Sequence, residues 1–240
     1  MKLDDIKKLQ QKKYRDQFGH FLVEGEHLVL ELQKVAETHQ HLRNCQLYVT
    51  EQYADWQSAF PISVVSERQM AQLSDTKSPQ GIIAVAPWLP SSAEKPPGQR
   101  AIYLHEIQDP GNLGTILRTL AWFGNFRCIL SPNSVDPYNP KVVRSSMGAI
   151  FHVPIELDIG LEQLKNRFSR IACLDMQGGS LASSAFKDFD CYVFGNEARG
   201  IPREKLIALS AQPFTIAGAG LIESLNLASA VNICVYELQR

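Results

Sequence analysis

Residues 101–123 constrain the fold more than any other stretch. The apolar run Ala101-Ile-Tyr-Leu-His-Glu-Ile107 reads as a buried strand, and Ile116, Leu117, Leu120, Ala121 and Phe123 recur at helical spacing. Between them lies the polar, glycine-bearing segment Gln108-Asp-Pro-Gly-Asn-Leu-Gly114. A strand feeding a helix through such a turn is the building unit of an open α/β sheet, which presents its ligands at the carboxyl ends of its strands. Gly111 and Gly114 permit backbone geometry that bulkier residues resist. The helix is expected from Thr115 onward, and Asn112 and Arg118 are the groups able to do chemistry from this frame. From this stretch alone, a structural turn and a ligand-binding turn are equal alternatives.

The remainder repeats the alternation. After a basic amphipathic helix expected over residues 2–13, with Leu3, Ile6 and Leu9 on one face, strands are expected near 21–23, 46–50, 62–65 and 81–86. Helices are expected near 26–35 and 54–59. Residues 88–99 hold prolines, serines and a glycine, the composition of a linker partly stiffened by proline. Beyond it, strand and helix alternate to residue 239, and continuous apolar strands such as Tyr192-Val-Phe194 are typical of a parallel sheet buried on both faces. The expected division is therefore a small α/β domain over residues 1–87, a linker over 88–99 and a doubly wound α/β domain over 100–240.

Composition excludes more than it assigns. A net charge of −1 gives no global bias toward nucleic acid, so any such binding rests on a local patch. Lys7, Lys8, Lys12, Lys13 and Arg15 form one candidate cluster, although charge alone favours a solvated helix face. The five cysteines are scattered singly, which argues against a zinc site or a disulfide framework and suits a reducing cytoplasm. No apolar run approaches the roughly 20 residues that span a bilayer. The expectations are a cytoplasmic protein with no metal and no membrane partner.

Two further loops share the pattern of the first. Val193-Phe-Gly-Asn-Glu-Ala-Arg-Gly-Ile-Pro202 runs from an apolar strand into a glycine-flanked polar loop, and Phe214-Thr-Ile-Ala-Gly-Ala-Gly-Leu-Ile-Glu-Ser-Leu-Asn-Leu-Ala228 does so again. Glu197 reads as a partner of Arg199 or as a functional acid; Ser224 or Asn226 reads as a helix cap or as a pocket residue. The first loop has G-x-x-G spacing, and no acidic residue clearly ends the next strand. Both features disfavour a nicotinamide-binding oxidoreductase.

Taken in order, D-P-G-N-L-G-T-I-L-R-T, F-G-N-E-A-R-G-I and E-S-L-N-L-A-S-A resemble the three motifs of the SpoU (TrmH) family of RNA ribose 2′-O-methyltransferases. The resemblance covers about residues 100–240 and includes the segment from Pro140 to Pro154. The first region resembles the small substrate-binding domain of many members, with Phe21-Leu-Val-Glu-Gly25 and Lys77-Ser-Pro-Gln-Gly81 as its marks. The resemblance implies a Rossmann-like parallel sheet with a deep trefoil knot, S-adenosylmethionine held by the knot loops, and a homodimer with the active site near its interface. By motif match it implies catalytic roles for Asn112, Arg118, Glu197, Ser224 and Asn226. It implies cofactor contacts at Gly195, Asn196, Ile216 and Leu225, with room left by Gly200, Gly218 and Gly220. Arg15, Lys141 and Arg144 become expected RNA contacts, since cationic groups suit the RNA backbone. Where the family usually has Ile-Pro-Met, this chain has Ile216-Ala217-Gly218. The implied reaction is 2′-O-methylation of a ribose in structured RNA, ribosomal rather than transfer RNA. The alternative is a non-catalytic RNA-binding or assembly protein on the same fold.

Overall fold

A computed structural model describes residues 1–89, 98–222 and 224–240. Most of the expected linker, residues 90–97, and Glu223 of the third motif lie outside the described residues. Two compact units emerge: residues 1–90 together with 136–151, and residues 91–135 together with 152–240. The first unit thus takes in a segment that the sequence grouped with the second region.

The first unit begins with α1 (Leu3–Lys8) and α2 (Lys12–Phe18), two short helices where one was expected. The break at Leu9 to Gln11 frees carbonyls that a continuous helix would have used. Arg15 satisfies two of them, its Nη1 donating to Leu9 O at 2.8 Å and Gln10 O at 2.9 Å. Next come β1 (His20–Glu24), α3 (Glu26–Thr38), β2 (Gln46–Val49), β3 (Ile62–Val64), α4 (Glu67–Leu73) and β4 (Ile82–Pro87). No α-helix forms over residues 54–59; a 3-10 turn at Glu51–Tyr53 stands just before them. The strands make a sheet in the order β1-β4-β2-β3, antiparallel except for β2 with β3. Ile6, Leu9, Leu22, Tyr48, Met70, Leu73 and Ile83 form a core cluster within this unit.

Residues 136–151 belong here for identifiable reasons. Tyr138 stacks on Trp88 with ring centroids 5.7 Å apart and tilts against Phe21 at 4.7 Å. Asp136 receives Arg15 Nε at 2.8 Å. On α6 (Pro140–Ser146), Arg144 forms a bidentate pair with Asp75 and reaches Glu24 at 3.8 Å. These contacts correct two expectations. Arg15 is 2% exposed and committed to Asp136 and two carbonyls, so it presents nothing to RNA. Arg144 is half-buried and held by two carboxylates. Lys141 remains exposed, with no ion pair among the described residues.

The second unit is a six-stranded sheet with every neighbouring pair parallel. Its elements are β5 (Arg100–Leu104), α5 (Pro110–Phe123), β6 (Phe126–Leu130), β7 (Ile155–Glu156), β8 (Ile171–Ser180), β9 (Cys191–Phe194), α7 (Arg203–Ala208), β10 (Gln212–Thr215) and α8 (Leu227–Gln239). The order is β10-β8-β9-β5-β6-β7, so β9 inserts between β5 and β8. Strands β5, β6 and β9 are buried almost throughout, as the continuous apolar runs require. The five cysteines are buried free thiols, and burial alone pushes Cys128 up to about 12. Among the described residues no group of three or more His, Cys, Asp or Glu could hold a metal ion. No described helix is long and apolar enough to cross a membrane.

The buried pair sets an expectation for stability. Arg15→Ala would strand Asp136 and two carbonyls, and breaking a buried ion pair costs about 3–5 kcal/mol. Urea unfolding should show a loss of that order, with Arg15→Met paired with Asp136→Leu recovering much of it. A loss under about 0.5 kcal/mol, the usual range of a surface substitution, would refute the structural role.

Candidate active site

Helix α5 starts five residues earlier than its apolar spacing suggests. Asp109 caps it, its carboxylate accepting the Asn112 N–H at 2.7 Å, and Pro110 occupies the first turn. Gly111 and Asn112 therefore sit inside the first helical turn rather than in a loop. Neither Gly111 nor Gly114 has a positive φ, which corrects the expectation that both serve an unusual backbone conformation. The cap and first-turn proline were visible as Asp109-Pro110, a signal that the apolar spacing alone overlooks.

Three polar side chains join the three motif segments. Glu197, in the loop after β9, accepts from Gln108 N, Asp109 N and Asn112 Nδ2, each at 3.3 Å. Asn112 Oδ1 accepts from Asn226 Nδ2 at 2.9 Å. Asn226 in turn caps α8 by accepting from Ser229 N at 3.3 Å. The two readings of Asn226, cap and site residue, are both realised, by different atoms of one amide. Glu197 does not pair with Arg199, which instead donates to Glu106 Oε2 at 2.7 Å.

Asn196 is buried and organises the middle loop. Its Oδ1 accepts from Ala198 N and Arg199 N at 3.0 Å each, and its Nδ2 donates to Glu106 O at 2.7 Å. Its main chain bridges Gly200. Gly195 is required by packing, since a Cβ there would meet Gly200 C at 2.7 Å. Gly200, Gly218 and Gly220 face open space, so side chains there would meet nothing but whatever occupies that space. Ile216 is half-buried; Leu225 and Ser224 are exposed.

Arg118 stands apart. Six residues beyond Asn112 it is rotated some 240° around α5 and displaced about 9 Å along it. It is exposed, with no ion pair or hydrogen bond among the described residues. One turn on, Trp122 is 85% exposed on the same face, and Tyr236 and Ile233 of the adjoining α8 are also exposed. Phe123 and Tyr236 join the helices at 6.3 Å between ring centroids, and Thr119 Oγ1 donates to Asn232 Oδ1 at 2.6 Å.

Sequence reasoning missed Glu106 and His105, which leave β5 toward this cluster. His105 is buried, and its Nδ1 has no partner among the described residues. Burial holds its pKa below the usual histidine value. The unfolded chain therefore binds this proton more readily, and stability is lost as pH falls through about 6.5. His105→Phe should flatten that part of the pH dependence of urea unfolding between pH 8 and pH 5; an unchanged profile would show that the ring titrates freely.

Comparison with known proteins follows the same geometry. The SpoU rRNA Methylase family profile matches residues 99–236, and the MRM3-like substrate binding domain profile matches residues 2–84. The 23S rRNA (guanosine(2553)-2′-O)-methyltransferase RlmP of Bacillus subtilis is 29% identical over 99% of this chain and 96% of its own length. A TrmH-family protein from Porphyromonas gingivalis superposes with a TM-score of 0.82 at 30% identity, covering 99% of this chain and 96% of that one. An AdoMet-bound rRNA methyltransferase from Sinorhizobium meliloti superposes with a TM-score of 0.81 at 25% identity, over 99% and 93%.

Proposed function

The chain belongs to the SpoU rRNA methylase family, and from that premise we propose that it transfers a methyl group from S-adenosylmethionine to a ribose 2′-hydroxyl of ribosomal RNA. The observation that carries the reading is the Glu197–Asn112–Asn226 chain of hydrogen bonds, which gathers the three motifs at one end of one sheet. The chain's free, singly scattered cysteines support a location in the reducing cytoplasm. Residues 1–87, together with 136–151, serve as the RNA-binding unit, the rest of 100–240 as the methyltransferase domain, and 88–99 as the linker between them. The trefoil knot of the family is supported by the likeness of the whole chain to the TrmH-family structure from Porphyromonas gingivalis.

The residues fit the cofactor. Gly200, Gly218 and Gly220 leave space beside main-chain donors and acceptors, and Leu221, Ile222 and Leu225 are exposed apolar side chains with nothing covering them. Gly195, Asn196, Ile216 and Leu225 would line the bound molecule, which supplies a methyl group already attached to a sulfonium leaving group. The chain must then place a weak nucleophile in line with it, and positioning is the larger part of that task. Asn112 has one amide atom committed to Glu197 and the other to Asn226, which leaves one N–H and one lone pair in fixed directions for the ribose. Glu197 accepts three donors and acts by holding Asn112 and the start of α5. Ser224 and Asn226 complete the polar edge. Arg118, permanently cationic, orients the neighbouring phosphate and stabilises charge developing on the 2′-oxygen. Lys141 offers a further phosphate contact.

Arg118 faces away from Asn112 on a helix face shared with exposed Trp122, which supports a homodimer through α5 and α8 and an arginine that acts at the second copy's site. Asn112→Ala and Arg118→Ala should each lower methyl transfer to RNA at least about 100-fold. Mixed and exchanged, the two inactive variants should regain about a quarter of wild-type activity, since half the dimers then hold one intact site. No recovery from freely exchanging subunits would place Arg118 at its own chain's site. Calorimetric titration with S-adenosylmethionine tests the cofactor; tight RNA binding without it would establish the non-catalytic alternative. Trp122→Glu should shift the sedimentation coefficient from dimer to monomer.

A further inference from the structure

Glu106 occupies a backbone conformation that its residue type avoids. Its φ is +49°, in the left-handed region where side chains other than Gly, Asn and Asp are uncommon. Such strain persists only where surrounding structure over-determines it, and here every polar group of the residue is engaged. The Glu106 N–H donates to Ser131 Oγ at 2.6 Å, and its carbonyl accepts from Asn196 Nδ2 at 2.7 Å and Gln108 Nε2 at 3.0 Å. Its carboxylate accepts from Arg199 Nη2 at 2.7 Å. A glycine would meet the backbone requirement without strain. The carboxylate is what a glycine could not supply.

We propose that the Glu106–Arg199 ion pair is a positioning device that holds the Asn196–Gly200 loop closed for the cofactor. The two loops are tied in both directions. Glu197 reaches from the β9 loop to the N–H groups of Gln108 and Asp109, while Glu106 reaches from the β5 loop to Arg199. Arg199 lies between Asn196 and Gly200, whose main chains bridge each other, so restraining Arg199 restrains the loop. The Arg199 side chain is largely exposed, and an accessible ion pair contributes little to global stability. Its effect is therefore local. The cofactor role of this loop rests on the methyl-transfer reading; the restraint itself does not.

The test uses Glu106→Gln, Glu106→Gly and Arg199→Gln in the full chain. Amide hydrogen exchange at Ala198, Arg199 and Gly200 should accelerate in all three, including Glu106→Gly, whose backbone is relieved of strain. The KM and calorimetric Kd for S-adenosylmethionine should rise about two- to five-fold, the range of an accessible ion pair, with kcat within a factor of two. Arg199→Lys should restore part of the affinity, and Glu106→Gly combined with Arg199→Gln should be no worse than either alone. Unchanged exchange in the single variants overturns the proposal, as does a loss of RNA affinity with cofactor affinity intact, which would make Arg199 an RNA contact. Wild-type protein that neither binds S-adenosylmethionine nor methylates RNA overturns the functional reading instead, and the exchange rates still decide whether the pair restrains the loop.

Discussion

β5 and β9 lie side by side and parallel, with Leu104 opposite Phe194, so the chain leaving each strand emerges at the same edge about 4.8 Å from the other. All that happens at the site follows from this adjacency. It brings Glu106, Gln108 and Asp109 within reach of the loop that carries Asn196, Glu197 and Arg199. Glu197 accepts main-chain N–H groups at the start of α5, which would otherwise have only water as partner. Through Asn112 the same carboxylate is connected to Asn226 and the cap of α8. Three segments joined by hydrogen bonds that span up to 114 residues become one polar surface because two strands share an edge.

Charged residues in the first unit show why residue type is a poor guide to role. Arg15 sits within a run of lysines that looks like a nucleic-acid footprint, yet its guanidinium is buried against Asp136 and the carbonyls released by a helix break. Arg144 is spent on Asp75 and Glu24. A buried cation needs a partner to offset its desolvation, and these partners lie far off in the sequence. Cationic character identifies candidates; only the disposition of acids decides which of them are free.

The site was legible to different degrees. Asn112, Glu197 and Asn226 were each visible as polar residues in glycine-bearing loops, and their order along the chain carried the family resemblance. Their mutual hydrogen bonds were not visible, since nothing local tells that β9 inserts beside β5. Asp109-Pro110 announced the start of α5, although the apolar spacing, which begins only where the helix turns toward the core, pointed to Thr115. Arg118 was grouped with Asn112 by motif, but helical periodicity puts them on different faces. Glu106 carried no signal, because left-handed backbone at a glutamate follows from tertiary contacts and not from propensity.

The sequence by itself determined a parallel α/β region, through continuous apolar strands that must be buried on both faces, and the set of polar residues able to act at its edge. Those properties follow from local periodicity and residue chemistry. Tertiary structure alone decided which strands are neighbours, that residues 136–151 join the first unit, and which cations are neutralised. These depend on pairings between residues tens of positions apart, where the free energy of a contact is set by burial and partner geometry rather than by anything adjacent in the chain.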